Sequence, residues 1–460
     1  MDLMVIGKTS IVATNLIYEF VKKLNFEDYL TDAEKKFINL EYGVAQLSLT
    51  NSQSIKHQLR FYDSFFGYSQ VNNIAYKCVQ QLSALNIKVQ FNVFKCSEIE
   101  NLFLSLVSKY MIDSNKICGT LYKETSLHTP DINITSVRHY LNIGDSWTAI
   151  WIGEKLLQIN DKQSSFELMH ILALAYNSVS NTLAGENLLM KLIQLDLADN
   201  PEYNKSKVSA YYILAMIYMR HHPKSLKNTD QAHKYLDTAY QLLDQKDFVH
   251  DDKEFTKIFN RNGYALILFA SGNVDMAVEL LNKKISQLEK EIIPIKGEYA
   301  LLHKTVLMYN LYQCYLQQGL SDKAEEILLE INKIDFYDTD YRYDLVKLYF
   351  DNGELEKGKK ELEIIGDLKA IDYPTHFSYL GYYYLEKNQL DQAKEYYFNA
   401  FLTLISPYRY NEYLYNYLYV LYMLEEQETI IQLKNSINLE GNYMSENIRA
   451  IFEATGSSVV

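Results

Sequence analysis

Few residues in this chain could do chemistry, and the first candidates stand near its beginning. Ile6-Gly7-Lys8-Thr9-Ser10 reads like the end of a phosphate-binding loop, where a lysine and a threonine hydroxyl serve nucleotide phosphates and Mg²⁺. The full pattern needs a glycine five residues before Gly7, where Asp2 stands, and a preceding strand for which only six residues are present. The plainer expectation makes Thr9 or Ser10 the N-cap of a helix running to Leu24. His221-His222 is the one adjacent pair among ten histidines. Neighbouring residues in a helix point about 100° apart, so the pair needs a third ligand to hold a metal. With Pro223 next to it, a solvated helix end is expected instead. Acids gather in Asp338-Thr339-Asp340 and in Leu288-Glu289-Lys290-Glu291, yet helical surfaces carry such acids for solubility alone. No G-x-S-x-G, H-E-x-x-H or glycine-rich dinucleotide fingerprint occurs. Neither a catalytic residue nor a metal site nor a cofactor is expected.

The elements that would position any site are helical. Low Gly (17) and Pro (6) in 460 residues, with 48% hydrophobic residues, describe a chain of many helices and sizeable cores. A formal charge of −13 argues against binding nucleic acid through its phosphates. Cys78, Cys96, Cys118 and Cys314 form no C-x-x-C pair, so reduced core cysteines are expected. No apolar run approaches the roughly 18 residues of a membrane span. A cytoplasmic location without membrane contact is the expectation.

A repeat lies in the C-terminal half. GNVDMA (272–277), GLSDKA (319–324), GELEKG (353–358) and NQLDQA (388–393) end in Ala277, Ala324, Gly358 and Ala393, spaced 47, 34 and 35 residues apart. Aromatic-rich helical stretches flank each phrase, as in FSYLGYYYLEK (377–387) and EYYFNAFLTL (395–404), so each unit reads as a helical hairpin. A small residue early in the second helix lets the two helices approach, and large aromatics one turn away fill the groove.

These residues resemble the tetratricopeptide repeat family. Phe377, Leu380, Gly381, Tyr384, Ala393, Tyr397, Ala400 and Pro407 match its 34-residue unit. Leu311, Tyr315, Ala324 and Leu328 match in a second unit, Tyr349, Gly358 and Leu362 in a third, and Tyr264, Ala265, Leu268, Ala277 and Leu281 in a fourth. Leu214, Ala215, Tyr218, Ala232 and Ala239 fit if five extra residues sit in the turn at 221–231, and weaker traces reach residue 139. The resemblance covers roughly 130–425. It implies an all-α fold, a right-handed α-α superhelix over 126–425, with capping helices and a fraying tail at 426–460. Residues 1–125 are mostly helical in pattern, with one short strand at IKVQFNVF (87–94). They read as degenerate hairpins of the same array or as a separate small module, the first being preferred.

The resemblance also implies where a ligand would bind. First helices line the concave side, at offsets falling on Arg138, Tyr212, Met216, Arg220, Asn262, Tyr309, Gln313, Tyr343, Lys347, Ser378 and Tyr382. This mixture of aromatics, amides and a few cations suits an extended peptide or loop. A carboxylate clamp of the chaperone-adaptor kind is not expected, because Asp340 and Asp344 stand where cations are needed. The expected function is a non-enzymatic scaffold holding a peptide or protein on that face, with self-association left open. A peptide-sensing receptor and an accessory subunit or peptide-modifying enzyme of a biosynthetic pathway are the alternatives. The forty tyrosines serve twice, as groove fillers between helices and as contact surface.

Overall fold

The apolar run Leu3-Met4-Val5-Ile6 is a strand. The computed structural model describes residues 2–40, 66–111, 117–123, 126–159, 166–197, 200–245, 248–250, 252–336, 338–368, 371–406, 409–437 and 444–456. Pro407, the expected helix beyond residue 40 and the final four residues lie outside them. The chain opens with β1 (Asp2–Gly7), α1 (Asn15–Leu24), α2 (Asp32–Phe37), α3 (Phe66–Ala84), β2 (Ile87–Asn92), α4 (Glu98–Tyr110) and β3 (Ile117–Leu121). The strands form a parallel sheet in the order β1-β2-β3, with Met4 beside Val89 and Ile6 beside Phe91. Fully buried Phe20 of α1 stacks on Phe91 at 5.5 Å and meets the Phe103 edge of α4 at 5.4 Å. The strand expected at 87–94 is β2, while the degenerate hairpins preferred over a separate module are not what residues 2–121 form. Instead, strand–helix–strand crossovers build a small α/β layer.

Eight helical hairpins follow among the described residues. They are α5 (Ile134–Asn142) with α6 (Ser146–Ile159), α7 (Phe166–Ser178) with α8 (Thr182–Ile193), α9 (Pro201–Met216) with α10 (Thr229–Asp244), and α11 (Lys253–Ala270) with α12 (Val274–Gln287). After α12 a π turn (Leu288–Ile292) and the short α13 (Ile293–Lys296) lead into α14 (Glu298–Gln317) with α15 (Ser321–Ile334). Then come α16 (Thr339–Asp351) with α17 (Leu355–Asp367), α18 (Tyr373–Glu386) with α19 (Leu390–Thr403), α20 (Tyr410–Met423) with α21 (Gln427–Ser436), and a final α22 (Ser445–Gly456).

One hydrogen bond explains why the repeated phrases recur. In six hairpins the first helix ends in a left-handed residue whose successor donates its N–H back to a carbonyl five residues earlier, the C-terminal motif that closes a helix. The bonds run from Asn181 to Tyr176, Asn273 to Leu268, Leu320 to Tyr315, Glu354 to Tyr349, Gln389 to Tyr384 and Glu426 to Leu421, all between 2.8 and 3.0 Å. Glycine supplies the left-handed residue at 272, 319 and 353 and Asn388, which tolerates that conformation, does so at 388, whereas Ser180 and Glu425 adopt it against their preference. In the α9–α10 hairpin the extra residues are taken up by a π turn (Ile217–His221) and a 3₁₀ turn (Lys224–Leu226).

Small residues stand where paired helices cross. A Cβ on Gly153 would lie 2.3 Å from the Leu172 side chain, and one on Gly381 2.7 Å from the Tyr397 ring. Ala277, Ala324 and Ala393 at the matching positions are fully buried. Within the array α5, α7, α9, α11 and α14 touch in succession, and α16 touches α18, while the second helices make no comparable contact with one another. Within each unit, successive first helices thus pack on one another.

Contacts group the chain into two units, Met1–Val71 with Gln80–Ser105 and Asp113–Phe336, and Asn72–Val79 with Leu106–Ile112 and Tyr337–Val460. The second unit is thus completed by pieces of α3 and α4. Buried Asn72 donates to the Thr403 carbonyl at 3.0 Å and accepts from the Tyr110 hydroxyl, and Lys109 donates to the Leu404 carbonyl at 3.3 Å. Tyr76 packs against Tyr373 at 4.4 Å and Phe377 at 5.9 Å. These contacts cover the end of the α18–α19 hairpin opposite its turn.

Candidate functional site

The loop after β1 has the strand–loop–helix order of a phosphate site after all, since Asp2–Gly7 is a strand. Its ligand place is filled from within. Lys8 is 5% exposed and donates to Glu100 Oε2 at 2.7 Å and to the Lys95 carbonyl at 3.2 Å. Glu100 Oε1 accepts the Leu16 N–H at 2.7 Å, so a carboxylate of this chain sits at the N-terminus of α1 where a phosphate would sit. The expected cap at Thr9 or Ser10 is also corrected: α1 begins at Asn15, whose Oδ1 accepts the Thr9 and Ser10 N–H groups at 2.8 and 3.0 Å. Thr9 turns its hydroxyl to Glu19 at 2.7 Å.

The histidine pair is not a solvated helix end. His222 is 3% exposed, with Nδ1 2.8 Å from Thr182 Oγ1 and Nε2 3.3 Å from Glu186, which also accepts from Tyr218 at 2.5 Å. The π turn rotates it inward onto α8. Burial pushes neighbouring His221 down to about 4. Among the described residues no cluster of His, Cys, Asp and Glu could hold a metal ion.

In the first unit, side chains of successive first helices pair laterally. Arg138 forms an ion pair with Glu167, His170 Nε2 lies 2.8 Å from Ser209 Oγ, and Tyr212 packs on Phe259 at 4.8 Å. Desolvation lowers His170 to about 4 and keeps its imidazole neutral. Phe259 continues to His303 at 4.7 Å, which meets Phe255 at 4.8 Å and the half-exposed Tyr299 at 4.8 Å. The sequence reading missed His170, Phe259, Tyr299 and His303. They occupy or neighbour the same helix face, and their signal was the spacing that selected Tyr212.

The expected contact residues divide by burial. Met216, Asn262 and Tyr343, at 5%, 1% and 6% exposure, are core residues, a correction to their place on an open face. Asn262 accepts from Asn310 Nδ2 at 2.7 Å, so two amides that could have met a ligand backbone satisfy each other. Tyr343 is packed between Asp372 and His376, and burial raises its phenol well above the ordinary range. Arg138, Arg220 and Lys347 are exposed, and Lys347 is held by Asp351 at 2.5 Å. Tyr212, Tyr309, Gln313, Ser378 and Tyr382 are half-buried. Tyr382 lies 5.3 Å from Phe350, and burial with nearby Glu386 and Asp351 raises its phenol. Tyr309 and Gln313 are one turn apart on α14 in the first unit, and Ser378 and Tyr382 one turn apart on α18 in the second.

No family model matches the chain, and no curated protein matches it. Solved structures with similar chains include yeast Tom70 (12% identity, 97% of this chain and 85% of that one, TM-score 0.42). A human IFIT1 dimer with PPP-AAAA is similar at 15% identity over 94% of each chain, with a TM-score of 0.38. The APC/C hetero-tetramer Cut9-Hcn1 is similar at 11% identity over 96% of this chain and 83% of that one, with a TM-score of 0.32. The recurring left-handed turn, the small crossing residues and the contacts between successive first helices give the hairpins one repeating geometry. This is an array of helical hairpins. An α/β layer precedes it in the chain, and among the described residues no helix is long and apolar enough to cross a membrane.

Proposed function

We propose that this tetratricopeptide-type chain is a non-enzymatic, cytoplasmic scaffold that holds a peptide segment or protein partner against the inner side of its first helices. The supporting observation is the half-buried pairing of an aromatic with an amide or hydroxyl one turn apart, Tyr309 with Gln313 and Tyr382 with Ser378. A tyrosine held on one side by the helix already has its rotamer fixed, so it offers contact area at little entropic cost, and the polar neighbour can bond a ligand backbone. No cofactor takes part.

The test uses peptides selected from a random library on the immobilised protein. Tyr309→Ala is expected to weaken the selected peptides about 10- to 30-fold, the scale of an interface anchor. Met276→Ala, on the exposed side of α12, is expected to leave Kd unchanged. Equal Kd values for wild type and Tyr309→Ala, read by fluorescence polarisation, would remove this surface from consideration.

A further inference from the structure

In the second unit the first helices α16, α18 and α20 run up to left-handed Gly353, Asn388 and Glu425, and counting back from these aligns their side chains. Six residues back stand Lys347, Tyr382 and Tyr419, and two residues back stand Asp351, Glu386 and Met423. In α16 the two positions neutralise each other, Lys347 reaching Asp351 at 2.5 Å. In α18 a tyrosine has taken the lysine's place. Glu386 is exposed and pairs with no lysine or arginine among the described residues. Beyond burial, Glu386 and Asp351 are what raise the Tyr382 phenol, so both carboxylates lie near it. Elsewhere in this unit the same grouping is complete. Tyr383 donates to Glu356 at 3.2 Å, and Lys387 pairs with Glu356 at 2.7 Å while lying 5.6 Å from the Tyr383 ring. Arg409 likewise pairs with Glu412 at 2.7 Å and lies 4.8 Å from the Tyr413 ring. A cation held by a ring face and a carboxylate together gains from both.

We propose that this face of α18 and α20 receives a basic peptide segment, one of whose arginines lies on the Tyr382 ring against the Glu386 carboxylate. The proposal rests on the reading that a partner lies against the first helices, and it names the chemistry of that partner. At Tyr382 and Glu386 the ring and the carboxylate are in place, and the cation that completes the grouping at Tyr383 and Tyr413 comes from the guest. Arginine fits best, because its planar group stacks on a ring while its N–H groups bond a carboxylate. One hairpin on, Tyr415 and Tyr419 stack at 6.0 Å along α20, Tyr419 is 38% exposed, and no cation lies over either ring among the described residues. Tyr382 and Tyr415 pack against the same core cluster, so the tyrosines of α20 are placed to take the side chains that flank the arginine. The formal charge of −13 favours encounter with a positive segment.

The test passes two random peptide pools over the immobilised full chain, alike except that the central position is arginine in one and citrulline, its uncharged isostere, in the other. Wild type is expected to retain the arginine pool about 3- to 30-fold better. Glu386→Gln, an exposed change that leaves the core untouched, should remove most of that preference, and Tyr382→Leu should remove the part due to the ring. Glu363→Gln on α17, an acid already held by Lys359, should keep it. The preference should also shrink as salt is raised to about 0.3 M, where the screening length is below ~8 Å. Equal retention of the two pools would overturn the basic partner and leave the binding surface standing, whereas retention of neither would overturn both. A preference that survives Glu386→Gln in full would overturn the assignment of the arginine to this carboxylate.

Discussion

Lys8→Met is expected to lower the stability of the α/β layer by about 3–5 kcal/mol, the cost of leaving a buried carboxylate without its cation. Glu100 has no exposed surface and Lys8 only 5%, so solvent cannot replace the lost charge. The remaining donors, Leu16 and Ser97 N–H, satisfy the geometry of Glu100 and not its charge. Lys8→Met with Glu100→Leu should recover most of the loss, because removing both charges removes the desolvation cost as well. Two units unfold in this chain, so the readout is hydrogen exchange at β1 and α1 amides in increasing urea. A single variant as stable as wild type would show that Lys8 is not paired inside.

Asn72→Leu is expected to cost the second unit about 2–4 kcal/mol. Leucine matches the volume and leaves the Thr403 carbonyl and the Tyr110 hydroxyl buried without their partner, at about 1–3 kcal/mol each. Tyr110→Phe removes only one donor and should cost less, about 1 kcal/mol. The measurement is exchange protection at α18 and α19 amides. Unchanged protection in Asn72→Leu would mean that α3 adds nothing to the second unit.

The hairpins were legible because their constraints are local. A left-handed turn and a small crossing residue recur at fixed offsets, and Gly272, Gly319, Gly353 and Gly381 announce them. Of the sheet only β2 was legible, from the alternation in IKVQFNVF (87–94). Leu3-Met4-Val5-Ile6 is a short apolar run without alternation, and a strand of that kind cannot be told from the start of a helix by period alone. Its pairing with Ile87–Asn92 spans about eighty residues of sequence, and nothing in either segment names the other as its partner. The contact face was half legible. Offsets placed Tyr309, Gln313, Ser378 and Tyr382 on partly open positions, but they could not tell that Asn262 would find Asn310 or that Tyr343 would sink between Asp372 and His376. Such lateral satisfaction depends on the neighbouring repeat, which no offset within one repeat encodes.

The most direct measurement is position-resolved photo-cross-linking with a selected peptide. A benzophenone amino acid replaces Tyr309 or Tyr382 on first helices, or Met276 or Leu183 on second helices, one position per protein. Adducts at the first-helix positions and none at 183 or 276 are the predicted result. Adducts confined to the second-helix positions would contradict binding on the inner side.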